Sequence, residues 1–123
     1  MSTAVFPGSF DPVTTGHVDL IRRASRMFDR LVVGVLVNSA KQPLFSKEER
    51  VAMLREITAD QDNIEVSSFE GLLVDFVKEQ HADAIVRGLR TPGDFEYELP
   101  LAQANHKLSV QADTIFLASA PEY

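Results

Sequence analysis

Leu31-Val32-Val33-Gly34-Val35-Leu36-Val37, "LVVGVLV", contains no polar side chain. A strand with one wet face alternates apolar and polar residues. An unbroken apolar run of this length belongs to a strand covered on both faces. Covering both faces takes a layer of helices on each side, and that arrangement goes with parallel strands.

The flanking sequence supplies those helices. Upstream, Thr3–Phe6 reads as a strand cut off by Pro7-Gly8, and Gly16–Phe28 reads as a helix. Leu20, Ile21, Ala24, Met27 and Phe28 fall at helical spacing, with Arg22, Arg23 and Arg26 on the opposite, polar face. Downstream, Ser46-Lys47-Glu48-Glu49 matches a capping box and starts a helix running to about Thr58. Asn63–Ser67 is a strand, and Gly71–Gln80 a helix with Leu72, Leu73, Phe76 and Val77 inward. Ala84–Val86 is a strand, Phe95–Leu108 a long helix and Thr114–Leu117 a last strand. This alternation predicts an α/β fold: a doubly wound, Rossmann-like sheet of five parallel strands with right-handed crossovers and helices on both faces. A flavodoxin-like interaction domain is compatible with the same pattern but leaves the residues at the strand ends unexplained.

The 123 residues, 45% hydrophobic, suffice for one domain around one core. There is no cysteine, which removes disulfides and thiolate metal sites and fits a reducing cytoplasm. No apolar run approaches the ~20 residues that span a bilayer, and the N-terminus lacks a signal pattern, so no membrane partner is expected. The net charge of −6 argues against a nucleic-acid partner. An anionic ligand must therefore meet basic residues gathered locally.

In such sheets, ligands bind beyond the carboxyl ends of the strands, where strand order reverses. The strand ends carry Pro7-Gly8-Ser9-Phe10-Asp11-Pro12, Asn38-Ser39-Ala40-Lys41, Phe69-Glu70-Gly71-Leu72-Leu73 and Arg87-Gly88-Leu89-Arg90. Lys41, Arg87 and Arg90 thus fall at one edge of an acidic chain, as a bound polyphosphate needs. Gly8 admits a ligand close to the backbone, Ser9 offers a hydroxyl and an amide, and Gly16-His17 opens a helix whose free amides favour anions. Arg87 and Arg90, on either side of Gly88, can address separate phosphate oxygens. Neither a Walker lysine nor a GxGxxG pattern is present. Taken singly, each feature has a plainer reading: a proline-rich turn with a capping threonine, solvated arginines, an exposed Lys41, and Glu98 as a helix-surface carboxylate. His81 and His106 read as solvent-facing residues without a role.

Taken jointly, "PGSFDPVTTGH" (7–17), "KQPLFSKEERV" (41–51), "IVRGLRTPGDFEYELPLAQAN" (85–105) and "FLASAPEY" (116–123) resemble bacterial phosphopantetheine adenylyltransferases, nucleotidyltransferases with an HxGH-type motif. The motif reads Thr14-Thr15-Gly16-His17, and Ser9 stands where the family more often has threonine. The resemblance implies transfer of the adenylyl group of ATP to 4′-phosphopantetheine, giving dephospho-coenzyme A and pyrophosphate. The mechanism implied is in-line attack without a covalent intermediate, with Mg2+ bound mainly through the ATP phosphates. Carried over residue by residue, His17 and Lys41 are catalytic. Gly8, Ser9, His17, Gly88, Leu89, Arg90, Glu98, Glu122 and Tyr123 contact ATP. Ser9, Lys41, Leu73, Arg87 and Asn105 hold phosphopantetheine. The family forms homohexamers, and its shared pocket admits coenzyme A as a feedback ligand. It continues with a serine-rich loop and a C-terminal helix, so residues 1–123 are expected to form a single nucleotidyltransferase domain lacking that segment. The rival readings are a nicotinamide mononucleotide adenylyltransferase-like or cytidylyltransferase-like enzyme, and a non-catalytic nucleotide-binding module. The last has no use for a second anion site at Lys41.

Overall fold

A computed structural model describes residues 2–38, 40, 42–108 and 112–121. Strands and helices alternate as β1 (Thr3–Gly8), α1 (Thr15–Ser25), β2 (Arg30–Leu36), α2 (Lys47–Ile57), β3 (Ile64–Phe69), α3 (Leu73–Glu79), β4 (Ala84–Leu89), α4 (Pro92–Leu108) and β5 (Asp113–Ala118). All neighbouring strands are parallel, in the order β3-β2-β1-β4-β5. A flavodoxin-like sheet would run 2-1-3-4-5, so that alternative falls, and the switch point lies between β1 and β4.

The apolar run of β2 is buried from Leu31 to Val35, with residues alternating between two cores. Leu31, Val33 and Val35 join Ala4, Phe6 and Val86 under Leu20, Ile21 and Ala24 of α1 and Leu54 of α2. Val32 joins Val5 and Ile85 on the other face, under Phe76 and Val77 of α3. Gly34 is set by this second layer. Phe69 and Phe76 stack with ring centroids 4.4 Å apart, and a Cβ on Gly34 would sit 2.7 Å from Phe76 Cε2.

Several boundaries differ from the sequence reading. Pro7-Gly8 does not cut β1 short; both residues pair with β2, Pro7 with Gly34 and Gly8 with Val35. Helix α1 ends at Ser25, where Arg26 N–H and Met27 N–H bond to Arg23 O and Ala24 O and tighten the last turn. Met27 is consequently exposed rather than inward. Gly71, at φ 85, lies outside the helical region, so α3 starts at Leu73 and leaves Leu72 exposed at its N-cap. Strand β4 runs on to Leu89 and places Arg87 inside the strand. Arg22 and Arg23 are not merely a polar face. Arg22 bonds Asp60 and Ile57 O, while Arg23 bonds Asp19 and Ala118 O, pinning α1 to neighbouring elements. His81 and His106 are exposed, as expected, with His106 3.5 Å from Asp113. Among the described residues, no helix is long and apolar enough to cross a membrane.

Candidate active site

A proline in the central strand opens the site. Ser2 O accepts from Arg30 N–H and Thr3 O from Asp83 N–H, so odd-numbered residues of β1 turn their backbone groups toward β4. Pro7 falls on that side and has no N–H to give. The β1–β4 register accordingly covers only Ala4↔Ala84 and Val5↔Ile85, whereas β1 stays paired with β2 through Gly8. Beyond Val5 the two strands part into a crevice, and Arg87 Nη1 takes over the Pro7 carbonyl at 2.9 Å.

Two hollows meet at this crevice. The larger, about 630 Å³, is lined by the Gly8–Phe10 turn, by Thr14–His17 at the start of α1, by Arg87, Gly88 and Arg90, and by Asp94, Glu98 and Ser119. Thr14 caps α1 reciprocally: its hydroxyl accepts from His17 N–H at 3.2 Å, and its own N–H donates to His17 Nδ1 at 3.1 Å. An imidazole whose Nδ1 accepts carries its proton on Nε2. Burial, and then the positive charge of Arg90, lower the His17 pKa from its ordinary 6.5, so the ring is a neutral donor at pH 7. The first turn of α1 holds no acidic residue, so the positive end of the helix stays uncompensated. Arg90 is exposed, and its guanidinium has no hydrogen-bond partner among the described residues. Asp94 accepts from the backbone amides of Arg90 and Thr91, which pulls its carboxyl below the usual range and fixes where Arg90 leaves the chain.

The smaller hollow, about 260 Å³, is mainly apolar. Leu36, Phe69, Leu73, Ile85, Leu101 and Ala102 line it, with Asn105 at its wall. Pro7, Gly8, Arg87 and Glu98 line both hollows. The partition between them is an ion pair: Arg87 Nε and Nη2 donate to the two Glu98 oxygens at 3.0 and 2.7 Å. Glu98, 9% exposed, is the buried residue of α4.

The cytidylyltransferase-like family matches residues 5–123. Phosphopantetheine adenylyltransferase of Caldanaerobacter subterraneus subsp. tengcongensis is 52% identical over all 123 residues, which cover 77% of that protein. That of Clostridium novyi is 51% identical over the same residues and 76% of its length. The chain belongs to the phosphopantetheine adenylyltransferase family. In fold it also matches the lipopolysaccharide core biosynthesis protein of Thermoplasma volcanium, with a TM-score of 0.72 at 23% identity and 98% of both chains covered.

Family membership puts the residues expected to contact substrates into a spatial frame. Gly8, Ser9, His17, Gly88, Arg90 and Glu98 gather around the larger hollow. Leu73, Arg87 and Asn105 gather around the smaller. Leu89 lines neither; its carbonyl accepts from Ser119 N–H at 2.7 Å. Lys41, Glu122 and Tyr123 lie outside the described residues. Glu98 is not the surface carboxylate its isolated position suggests, because Arg87 reaches it from inside β4.

Other residues around this candidate site escaped the sequence reading. Phe10 is buried at φ 49 with its ring edge against His17, centroids 5.1 Å apart. Asp11 and Arg50 bond the backbone around that turn. The Thr91-x-x-Asp94 spacing is a capping signal that could have found Asp94, whose N–H bonds Thr91 Oγ1 at 3.2 Å. Phe10, Arg50 and Ser119 carry no such local signal.

Proposed function

We propose that the protein transfers the adenylyl group of ATP to 4′-phosphopantetheine, giving dephospho-coenzyme A and pyrophosphate, a step of coenzyme A biosynthesis in the cytoplasm. The observation that carries this reading is the pair of hollows sharing the Pro7–Arg87–Glu98 wall. One is polar, with the guanidinium of Arg90, unpaired among the described residues, and the free amides at the start of α1; the other is mainly apolar, with Leu101 and Asn105 in its lining. A nucleotide polyphosphate suits the first, and an acceptor with an apolar arm suits the second.

A phosphate oxygen of the acceptor attacks the α-phosphorus of ATP. A new P–O bond forms, the bond to the bridging oxygen breaks, and pyrophosphate leaves with the electron pair. The nucleophile is already anionic, so no general base is needed, and catalysis is positioning and charge stabilisation. His17 donates Nε2–H to the α-phosphate as negative charge grows there. Arg90 and the α1 amides of Thr15 and Gly16 hold the β- and γ-phosphates. Gly8, Ser9, Gly88, Leu89 and Glu98 complete the nucleotide side, with Glu122 and Tyr123. Lys41 orients the acceptor phosphate, and Ser9, Leu73, Arg87 and Asn105 hold the rest of that substrate.

Among the described residues, no group of three His, Asp or Glu could hold a metal. Glu98 is occupied by Arg87, and Asp94 by two amides. The site therefore suits magnesium carried on the nucleotide phosphates, whose charge it neutralises. The proposed assembly is a homohexamer; exposed Tyr97, Leu101 and Leu108, which share one side of α4, support a subunit interface there without setting the number of copies. Coenzyme A, which carries the same pantetheine arm, is the proposed feedback ligand.

Pyrophosphate release tests the reading, with 4′-phosphopantetheine and nicotinamide mononucleotide compared as acceptors from ATP, and phosphocholine from CTP. Release with the first alone is expected. Preference for either of the others overturns it.

A further inference from the structure

Phe10 holds a backbone conformation that non-glycine residues rarely adopt, φ 49, and such a residue persists only where its surroundings impose it. Both chain neighbours are clamped. On one side, the Ser9 carbonyl accepts from Arg50 Nη1 at 3.0 Å. Arg50, 4% exposed, also donates to Leu36 O at 3.2 Å and, through Nε, to Ser46 O at 3.3 Å. On the other side, the two Asp11 oxygens accept from Leu44 N–H and Phe45 N–H, each at 2.8 Å. Leu44 is 78% exposed, so its side chain contributes little packing to this junction. Two charged side chains, each spending itself on backbone partners, thus fasten the turn to the end of β2 and the start of α2. Charge-assisted bonds of this kind are the stronger ones. The residue between the clamps is the one whose ring edge supports His17.

We propose that Asp11 is a positioning residue for the adenylyl transfer: with Arg50 it holds the Phe10 turn, and through the Phe10 ring it sets where the His17 imidazole lies. The proposal rests on the role given to His17 above. Misplacement of a reacting group by about 1 Å lowers turnover by as much as about a hundredfold. Asp11→Ala frees two amides, one at exposed Leu44 and one at half-buried Phe45, and water reaching the junction from the Leu44 side replaces the carboxylate, so folding survives while the turn relaxes.

The experiment is a double-mutant cycle in the intact protein, with kcat and both KM values for Asp11→Ala, His17→Ala and the double variant. Asp11→Ala is expected to lower kcat by about tenfold to a hundredfold, with the KM for ATP changed less than about threefold. In the His17→Ala background the same substitution is expected to cost almost nothing, because its effect runs through that ring. Asp11→Asn, which keeps one accepting oxygen, should fall between and carries the same cycle should the alanine variant not fold. Unchanged turnover in Asp11→Ala, or penalties that simply multiply in the double variant, overturns the proposal and leaves His17 in place. Full turnover in His17→Ala overturns the role of His17, and this inference with it.

Discussion

His17 owes its usefulness to a capping box in which an imidazole takes the place of the usual carboxylate or amide. In the usual box a Glu or Gln at the third helical position bonds the N-cap amide; here the imidazole Nδ1 does so, which commits Nε2 to donation. His17→Ala should therefore lower kcat by ~10²–10³, the typical loss of one transition-state donor, while the KM for ATP stays near its original value. Steady-state kinetics decide it, and near-normal turnover removes His17 from the mechanism. The same residue carries a stability prediction. Its folded-state pKa lies below the unfolded 6.5, so in the interval between the two values the unfolded chain binds more protons. Its share of stability is complete above pH 6.5 and is lost as the pH falls toward the folded value. Melting temperatures taken from about pH 8 to about pH 5 should drop more for the wild type than for His17→Gln. The Thr14-Thr15-Gly16-His17 spacing made a histidine at a helix start legible in the sequence; the tautomer was not, because it depends on one hydrogen bond.

At the scale of elements, each strand and helix among the described residues was legible in the sequence, α2 through its capping box rather than through apolar pattern, and the errors fell at their ends. The end of β4 mattered most. Read as Ala84–Val86, it left Arg87 in a loop beside Arg90; in the structure β4 continues to Leu89. Alternation along the longer strand turns Arg87 toward the Ile85 side and Gly88 toward Leu20, so Arg87 stands in the wall shared by both hollows while Arg90 lines the larger alone. No local signal marks that end, since the extension is held by pairing with β5 from Arg87↔Phe116 to Leu89↔Ala118. Gly34 shows the converse, a position where the element's partner dictates the residue. An added Cβ at 2.7 Å from Phe76 and 3.1 Å from Phe69 meets two stacked rings, which cannot both retreat. Gly34→Ala should destabilise by ~1–3 kcal/mol, the usual range for overpacking. Chemical denaturation measures it, and an unchanged midpoint would mean that α3 shifts without penalty.

The whole molecule turns on the wall between the hollows, which is built from parts remote in the chain: Pro7 on β1, Arg87 on β4 and Glu98 on α4. Each could be seen in the sequence, but not their meeting. That depends on β1 and β4 becoming neighbours across the switch point and then parting at a residue without an N–H. The wall stabilises and it separates, and these two tasks can be tested apart. Glu98 is buried but the Arg87 side chain is 32% exposed. Removing Arg87 therefore leaves a desolvated carboxylate uncompensated at a loss below the ~3–5 kcal/mol of a fully buried pair, whereas replacing both members with apolar residues is often neutral. Arg87→Met should accordingly destabilise. Arg87→Met with Glu98→Leu should recover stability to within ~1 kcal/mol of the original. It should not recover use of phosphopantetheine, since the partition then offers the acceptor no cation. Denaturation curves of the single and double variants, together with acceptor kinetics on the double variant, test both halves. A double variant that regains stability and acceptor turnover alike would show that the ion pair merely fills the space between β4 and α4.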